Sequence, residues 1–369
     1  MKLQISPQAL VDGLNLASGA SAGRTPKEAL QCVLMKASDK ALLLMATDLE
    51  VGVRCQLAQV DIQKGGEALV SAAKISQVAR ELTDEVVSLE LRENQLHLRG
   101  RGVHFQMVSR DPKEFPPVPD LEGEPDFEIE ARELRRMAER TAFAAAREST
   151  RYAIDGLLWE RKGDQLMIVA TDGRRLAVAS CSVTPKGGAS TQKDARVIVP
   201  AKTMQLISRV VESSEERLGV KFLPNQLLLK TEHVTISSVL VEGHFPKYED
   251  VVPQDCDKRA TVRVQDMHHA VRRAALMTSE ESKGVRLCFS AGKLVLSSRS
   301  AEQGEASIEL AVRYEGETLD IGFNPSFLSD FLKVLEEEEV TFELKEPNRP
   351  MVCHCGENYT YVVMPVNLS

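Results

Sequence analysis

The stretch Val197-Ile198-Val199-Pro200-Ala201-Lys202 decides the fold, because it joins a short apolar strand to a helix start, and this arrangement recurs six times. The six occurrences are Leu3 to Pro7, Ala68 to Ser71, Phe127 to Ala131, Val197 to Pro200, Val262 to Asp266 and Asp320 to Pro325. The helices are expected to start near Ser6, Ser71, Ala131, Pro200, Asp266 and Asn324, at steps close to one sixth of the 369 residues. Such regular self-similarity predicts a repeat architecture.

A second, longer period groups these six units into three domains. Ala46-Thr47-Asp48-Leu49 returns as Ala170-Thr171-Asp172-Gly173, and Phe115-Pro116 returns as Phe245-Pro246. Proline-rich stretches near residues 111–125 and 245–257 are suited to linkers, since proline cannot continue a central strand. We therefore predict domains at 1–120, 121–255 and 256–369. Each is expected to be α+β, with two β-α-β-β-β units whose helices lie on one face of antiparallel sheets.

Composition limits the class of protein. The formal net charge of -8 argues against a uniformly basic nucleic-acid binder, but it leaves the distribution of charge open. Seven cysteines, an odd number without a framework spacing, indicate reduced thiols. The sequence shows no apolar run long enough for a signal core or a membrane span. We expect a soluble cytoplasmic protein with no membrane partner.

Motifs that would carry chemistry are weak in this sequence. There is no phosphate loop or dinucleotide fingerprint. In Cys353-His354-Cys355, strand alternation would send His354 to the face opposite both cysteines, which disfavours a metal site. Asp172 has a counterpart in Asp48, and this recurrence favours a turn role over catalysis. We predict no catalytic residue, no metal and no cofactor, and therefore not an enzyme.

Positive charge is concentrated on the predicted helices. In a helix expected over Arg132 to Arg147, one face is apolar and the other carries basic residues, namely Arg132, Arg135, Arg136, Arg140 and Arg147. Four other predicted helices also expose basic residues, including Lys74, Arg80, Lys202, Arg209, Arg272, Arg273 and Lys333. A single such face is more often plain solvated surface. Five faces of one sign in an acidic protein are harder to explain as solvated surface alone, and the 5% aromatic content disfavours base stacking on single strands.

Several motifs, in order and at matching distances along the whole chain, carry a family resemblance. They are Gly23-Arg24, Ala46 to Glu50 with Gly52, Ala170 to Ala177, Phe245 to Tyr248, Gly284 to Leu287, Ile321 to Asn324 and Tyr361 to Val366. In these motifs the sequence closely resembles the bacterial sliding clamps, the beta subunits of DNA polymerase III. The resemblance implies the DNA-clamp fold and a head-to-tail homodimeric ring around double-stranded DNA. It also implies a processivity role in DNA replication and no chemistry of its own.

The resemblance also implies site residues. For sequence-independent DNA contacts it indicates Arg24, Lys74, Arg80, Arg151, Tyr152 and Lys202, and the basic helix face adds Arg136, Arg140 and Arg147. A pocket for short peptides of the polymerase catalytic subunit, the clamp loader and other partners would be formed by Ile154, Thr171, Gly173, Arg174, Arg175, Leu176, Pro246, Val251, Asn324, Phe327, Val362, Val363, Met364, Pro365 and Val366. Asp250, Ser282 and Asn367 depart from the family pattern, which leaves the pocket's selectivity open. Residues 362–365 are also compatible with a terminal core strand.

The implied subunit contact pairs an edge strand carrying Phe105 and Met107 with Leu276 and Met277, flanked by Glu302 and Glu305. Ordinary core packing is the alternative for these residues. Two other functions also remain open on the residues alone. One is a β-rich interaction scaffold with no inward basic helices, and the other is a metal-dependent hydrolase using Asp48, Asp172 and His354.

Overall fold

The structure is a computed structural model that describes residues 1–38, 40–148, 152–186, 194–210, 216–278, 284–300 and 302–367. These residues form six α-helices and 27 β-strands, and every strand pair among them is antiparallel. None of the described helices is long and apolar enough to cross a membrane. The α+β class predicted from the repeat is confirmed.

The elements follow the predicted strand-to-helix order. Up to residue 141 they are β1 Lys2–Ile5, α1 Pro7–Ser18, β2 Cys32–Ser38, β3 Ala41–Thr47, β4 Val51–Leu57, β5 Val60–Lys64, β6 Gly66–Ser71, α2 Ala72–Arg80, β7 Val87–Arg92, β8 Gln95–Gly100, β9 Val103–Val108, β10 Phe127–Glu130 and α3 Ala131–Thr141. They continue with β11 Gly156–Lys162, β12 Gln165–Thr171, β13 Arg175–Ser182, β14 Thr184–Pro185, β15 Ala195–Pro200, α4 Ala201–Val210, β16 Arg217–Leu223, β17 Gln226–Lys230 and β18 Val234–Val239. The last elements are β19 Lys258–Arg263, α5 Val264–Ala275, β20 Val285–Ser290, β21 Lys293–Ser300, β22 Gly304–Ala311, β23 Arg313–Glu315, β24 Leu319–Phe323, α6 Pro325–Lys333, β25 Glu339–Leu344, β26 Met351–Cys355 and β27 Tyr359–Val363.

Side-chain caps fix three of the helix starts where the sequence places them. Ser6, Ser71 and Asn324 each accept a hydrogen bond from a backbone N–H in the first turn of their helix. The start predicted at Asp266 is wrong. Helix α5 begins at Val264, its N-cap Arg263 makes no side-chain cap bond, and Asp266 lies in the first turn, where its negative charge favours the helix dipole.

The predicted end of α3 is also wrong. The helix stops at Thr141 instead of reaching Arg147, and a short 3₁₀ helix covers residues 142–144. The carbonyl of Phe143 accepts a 2.7 Å hydrogen bond from the Arg175 guanidinium, so this backbone is held by a distant side chain instead of a helical ladder. Of the five positions predicted for the apolar face of α3, Leu134, Met137, Ala138 and Thr141 are buried, whereas Ala145 lies beyond the helix and is half-buried.

The described residues divide into two compact units. The first is built from residues within 1–135, 183–193 and 202–240, and the second from residues within 136–182, 194–201 and 241–369. The first unit holds a five-stranded sheet, β5-β1-β7-β8-β9, and a nine-stranded sheet, β14-β10-β16-β17-β18-β4-β3-β2-β6. The second unit holds a nine-stranded sheet, β15-β11-β12-β13-β27-β26-β25-β19-β23, and a four-stranded sheet, β22-β21-β20-β24.

Each nine-stranded sheet joins strands from two of the three predicted domains. In the first unit β4 pairs with β18, and in the second unit β13 pairs with β27. These pairs are counterparts, because β4 and β13 follow the repeated Thr-Asp turns at Thr47 and Thr171. Because each of these sheets contains strands from both sides of an expected linker, the division into compact units does not yield three domains. The boundaries near residues 120 and 255 stay a prediction.

Candidate functional site

A rigid turn between β12 and β13 forms the centre of the predicted peptide pocket. The Thr171 hydroxyl donates to the carbonyl of Arg175 at 2.7 Å and accepts from the N–H of Gly173 at 3.1 Å. Asp172 Oδ1 accepts from the N–H groups of Arg174 and Arg175 at 2.9 and 3.1 Å. Gly173 has a φ of +84°, which L side chains rarely adopt, and a Cβ there would meet nothing within 4 Å. The turn therefore presents open space in front of Gly173.

Arg175 is held in a cage of acceptors and aromatic rings. Its guanidinium donates to Asp172 at 3.0 Å, to Asp330 of α6 at 2.7 Å and to the carbonyl of Phe143 at 2.7 Å. It also lies over the rings of Phe143 and Phe327, at 5.4 and 4.5 Å from their centroids. Burial lowers the pKa of Arg175, but the hydrogen bond to Asp330 and the nearby negative charges outweigh this effect and raise it. Arg175 is therefore a cation in a fixed position, and its guanidinium joins the turn to α6 and to the backbone at Phe143.

An apolar cluster lies beneath this turn. It contains the predicted pocket residues Ile154, Leu176 and Val362, packed with Phe245 and Tyr248. Val362 and Val363 are buried in β27, in the middle of the nine-stranded sheet. The core-strand interpretation of residues 362–365 therefore holds for 362–363 only, because β27 ends at Val363 and Met364 is exposed. These side chains form a floor and are not themselves exposed to a ligand.

The remaining predicted pocket residues line the accessible side. Gly173 and Arg174 are exposed, and Val251 and Met364 are 47% and 37% exposed, which is unusual for large apolar side chains. The Met364 N–H donates to the carbonyl of Arg174, so β27 continues along this turn. The half-buried members are Pro246, Asn324, Phe327, Pro365 and Val366. We refer to all fifteen predicted residues together as the candidate groove; all lie in the second unit.

Four of the predicted DNA contacts lie in the first unit and all are exposed: Arg24, Lys74, Arg80 and Lys202. Arg80 donates to Asn15 at 2.7 Å, and Lys202 forms an ion pair with Asp48 of the counterpart turn. Lys74 lines a cleft of about 460 Å³ together with Phe105 and Met107. The structure thus groups Lys74 with predicted subunit-contact residues.

The second unit holds the other basic residues, and one expectation fails there. Arg140 is only 3% exposed, and its guanidinium donates to both oxygens of Glu337 at 2.6 and 2.8 Å. The prediction that Arg140 lies on an exposed basic face is therefore wrong, because this face of α3 is covered by the loop before β25. The loop's Glu337 also binds Arg136 at 3.0 Å, but that side chain stays 36% exposed.

Beyond α3, Arg147 is exposed and Tyr152 is 42% exposed. Arg147 lies outside the helix, so the predicted stripe does not continue to it. Arg151 and Ser282 lie outside the described residues. For Arg24, Lys74, Arg80, Arg136, Arg147, Tyr152 and Lys202, a role in DNA binding stays a prediction.

The predicted subunit-contact residues are on or near sheet edges. Strand β9 is an edge of the five-stranded sheet, and its Phe105 and Met107 are half-buried. In the second unit, β22 is an edge of the four-stranded sheet and begins beside the exposed Glu302 and Glu305. Leu276, which follows α5, is 70% exposed, and Met277 is half-buried. The alternative of ordinary core does not hold for Leu276.

The residues of the alternative hydrolase do not form a metal site. The Asp172 carboxylate bonds to the Arg175 guanidinium, Asp48 pairs with Lys202, and His354 lies 3.4 Å from Glu343. Among the described residues no three acidic, histidine or cysteine side chains cluster as metal ligands. The Thr-Asp motif therefore acts as a turn scaffold in both copies.

Sequence reasoning missed the partners that hold the basic residues in place. No local pattern in the sequence marks Glu337, Asp330 or Phe143 as a partner of these arginines. Phe143 and Asp330 are 32 and 155 residues from Arg175, and Glu337 is 197 residues from Arg140. No local spacing pattern could have identified these contacts.

Comparisons with known proteins identify the family. Three family models match in succession: the N-terminal domain of the DNA polymerase III beta subunit at residues 1–119, the central domain at 128–247 and the C-terminal domain at 249–367. The chain is 33% identical over 371 residues to the beta sliding clamp of Pseudomonas aeruginosa and 30% identical over 371 residues to that of Escherichia coli K12, with all of each chain covered. A crystal structure of the DNA polymerase sliding clamp from P. aeruginosa superposes with a TM-score of 0.90 at 33% identity over the full length of both chains. The chain therefore belongs to the DNA polymerase III beta subunit family, the beta sliding clamps.

Proposed function

We propose that two copies of this chain close head to tail into a ring around duplex DNA and tether a polymerase to it. The observation that carries this proposal is the succession of three beta-subunit domain matches, at residues 1–119, 128–247 and 249–367. The family is one of sliding clamps and processivity factors for DNA polymerase, and it is non-catalytic. Family membership thus confirms the sequence-based prediction that the chain is not an enzyme.

The mechanism is physical. Phosphate contacts from lysine and arginine release counterions and allow sliding, but their affinity falls steeply with salt. A closed ring replaces that affinity with a topological link, because DNA cannot leave sideways. A polymerase bound to the ring meets the primer end at a high effective concentration, so rebinding is faster than escape. The exposed Arg24 and Arg80 and the half-buried Arg136 would contact the backbone and not base edges.

For the subunit contact we propose pairing between β9 of one copy and β22 of the other. Both are edge strands whose backbone groups on one side have no ladder partner in the described residues. The 460 Å³ cleft beside β9 is lined by Phe105 and Met107, and it can receive an apolar side chain such as Leu276 of the second copy. Lys74 at this cleft complements the negative charge of Glu302 and Glu305 near β22. A contact between two different surfaces closes into a ring when its rotation fits the circle.

The candidate groove is the proposed binding site for short peptides of the polymerase catalytic subunit, the clamp loader and other factors. Its exposed Val251 and Met364 and the open space at Gly173 suit leucine and phenylalanine anchors. Arg174 adds an exposed donor at the edge. We propose that the protein acts in the cytoplasm, because all seven cysteines are free thiols and the cytoplasm keeps thiols reduced.

Retention on circular DNA tests the proposal. The full-length protein, loaded on nicked circular DNA by a clamp loader, is washed at moderate salt, and the circle is then cut once with a restriction enzyme. We expect retention before the cut and rapid loss afterwards, because only a topological link depends on the absence of ends. Equal retention on circular and linear DNA, or a purified protein that is an open monomer, would refute the ring.

A further inference from the structure

The first unit repeats the scaffold of the candidate groove bond for bond. The Thr47 hydroxyl donates to the carbonyl of Val51 at 2.8 Å and accepts from the N–H of Leu49 at 3.0 Å, as Thr171 does with Arg175 and Gly173. Asp48 Oδ1 accepts from the N–H groups of Glu50 and Val51 at 3.0 and 2.8 Å, as Asp172 Oδ1 does from Arg174 and Arg175.

The surrounding segments correspond as well. Two further backbone hydrogen bonds recur in counterpart positions. The Ala22 N–H donates to the Leu30 carbonyl at 2.9 Å, as the Ala146 N–H does to the Ile154 carbonyl at 2.9 Å. The Val239 N–H donates to the Glu50 carbonyl at 2.8 Å, as the Met364 N–H does to the Arg174 carbonyl at 2.9 Å. Leu30 thus corresponds to Ile154, Val239 to Met364, and, through the repeated Phe-Pro, Pro116 to Pro246. All six of these bonds depend on no side chain beyond threonine and aspartate, so the two scaffolds match although the residues facing outward differ.

This counterpart scaffold borders an open cleft. The cleft has a volume of about 410 Å³ and is lined by Pro26, Lys27, Glu28, Ala29, Leu30, Leu49, Arg110, Glu114 and Pro116. We call it the Leu49 cleft. Leu49 itself is 52% exposed, and Val239 is 38% exposed. Leu49 also has a φ of +82°, a left-handed conformation that is unfavourable for leucine. Residues held in sparsely populated backbone conformations cluster at binding and active sites, and Leu49 lines this cleft.

We infer that the Leu49 cleft is a second peptide-binding site, for an extended segment that carries an apolar anchor next to a basic residue. The inference rests on the proposed peptide role of the candidate groove. Charge indicates the basic residue, because the exposed Glu50 stands where the candidate groove has the exposed Arg174. Among the charged residues that line the cleft, Arg110 pairs with Glu28, which leaves Glu114 and Lys27. Next to the cleft, Lys202 pairs with Asp48, so the exposed carboxylate of Glu50 adds a negative charge beside Leu49. The two sites would therefore select peptides of opposite charge.

Photo-crosslinking of full-length protein tests this inference. The probes are two short synthetic peptides with leucine and phenylalanine anchors and a benzophenone side chain, one with an arginine between the anchors and one with an aspartate. Trypsin separates the sites, since Leu49 lies in the fragment 41–54 and Gly173 in the fragment 163–174. We expect the arginine peptide to label fragment 41–54 saturably, and competition with the same peptide lacking benzophenone should remove the label.

Two variants and one control sharpen the test. Leu49→Gly removes the anchor contact at a φ that glycine tolerates, so the fold is retained and labelling of this fragment falls at least tenfold. Glu50→Arg should shift the preference of the first-unit site to the aspartate peptide. Val86→Gly, at another exposed apolar residue of the first unit (55% exposed), should leave labelling unchanged.

The outcomes separate this inference from the proposed function. Saturable labelling of fragment 163–174 alone by either peptide would overturn the second site and leave the candidate groove standing. Labelling of neither fragment would overturn both. Labelling of fragment 41–54 that persists in Leu49→Gly or ignores the charge of the peptide would also refute the inference.

Discussion

The buried ion pair between Arg140 and Glu337 gives the sharpest prediction about stability. The Arg140 side chain is 4% exposed and Glu337 25% exposed, and two hydrogen bonds of 2.6 and 2.8 Å join them. Arg136 binds the same carboxylate at 3.0 Å but is 36% exposed. Removing one partner of a buried pair costs about 3–5 kcal/mol, whereas an exposed pair contributes about 0–1 kcal/mol.

We therefore expect Arg140→Met to lower the free energy of unfolding by about 2–4 kcal/mol, below the full buried value because Glu337 can still reach water. Arg136→Met should cost about 0–1 kcal/mol, although it removes a charge from the same helix and the same carboxylate. The Arg140 backbone carbonyl keeps its 2.7 Å hydrogen bond from Tyr359 in either variant, so the comparison isolates the guanidinium.

Urea unfolding followed by tryptophan fluorescence measures this difference. Trp159 is the one tryptophan of the chain, is fully buried in β11, and reports on the second unit, which also contains Arg140 and Glu337. All variants are compared at one protein concentration, because dimerisation adds to apparent stability. A double-mutant cycle with Glu337→Gln should give a coupling energy of about 1–3 kcal/mol for Arg140 and less than half of that for Arg136. Equal losses for the two arginines would refute the argument from burial.

Three further predictions concern Arg175, Glu337 and Leu276. In Arg175→Lys one ammonium group cannot reproduce the three hydrogen bonds of the guanidinium. This variant should lower the free energy of unfolding of the second unit by about 1–3 kcal/mol in the same urea assay. The control Arg174→Lys, at an exposed position, should have almost no effect. Burial raises the pKa of Glu337, but the Arg140 hydrogen bond and the nearby arginine charges outweigh burial, and the pKa is lowered overall. The stabilisation by ionised Glu337 is therefore present above its unfolded pKa near 4.5 and is lost as the pH falls through the folded pKa. The urea midpoint of the natural protein should drop more steeply below pH 4.5 than that of Glu337→Gln. Leu276→Arg should raise the dimer dissociation constant, measured by light scattering, at least tenfold, because burying a leucine contributes about 1.5–3 kcal/mol. Val86→Arg, at another exposed apolar position, should leave the dissociation constant unchanged.

The features that sequence reasoning predicted well are those encoded within a few residues. The six strand-to-helix units are visible because a short strand and the apolar period of the following helix lie close together in the sequence. In the first and last units a capping residue, Ser6 or Asn324, is also followed directly by proline. Ser6, Ser71 and Asn324 cap their helices as expected. Asp266 misled because an acidic residue is equally favourable in the first turn, where the structure places it.

The features that failed depend on residues far apart in the chain. Helical spacing put Arg136, Arg140 and Arg147 on one face, but it could not show that Glu337 approaches from 197 residues away and buries Arg140. It also could not show that Arg175 takes the Phe143 carbonyl and ends the helical region early. Charge patterning thus identifies a basic helix, and tertiary packing decides which of its charges remain accessible.

The two Thr-Asp turns explain how a repeat can keep its shape while its chemistry changes. In each turn the threonine hydroxyl and one aspartate oxygen satisfy the backbone, so the side chains of the three residues that follow aspartate can differ, although the first of them keeps a positive φ in both turns. At the third of these positions Arg175 binds the second Asp172 oxygen at 3.0 Å, whereas Val51 cannot, and Asp48 pairs instead with Lys202 of α4. Lys202 must therefore exchange this carboxylate for a phosphate if it is to contact DNA. Asp48→Asn should then strengthen the Lys202 contribution to DNA binding, which ties the chemistry of the first turn to the proposed DNA surface.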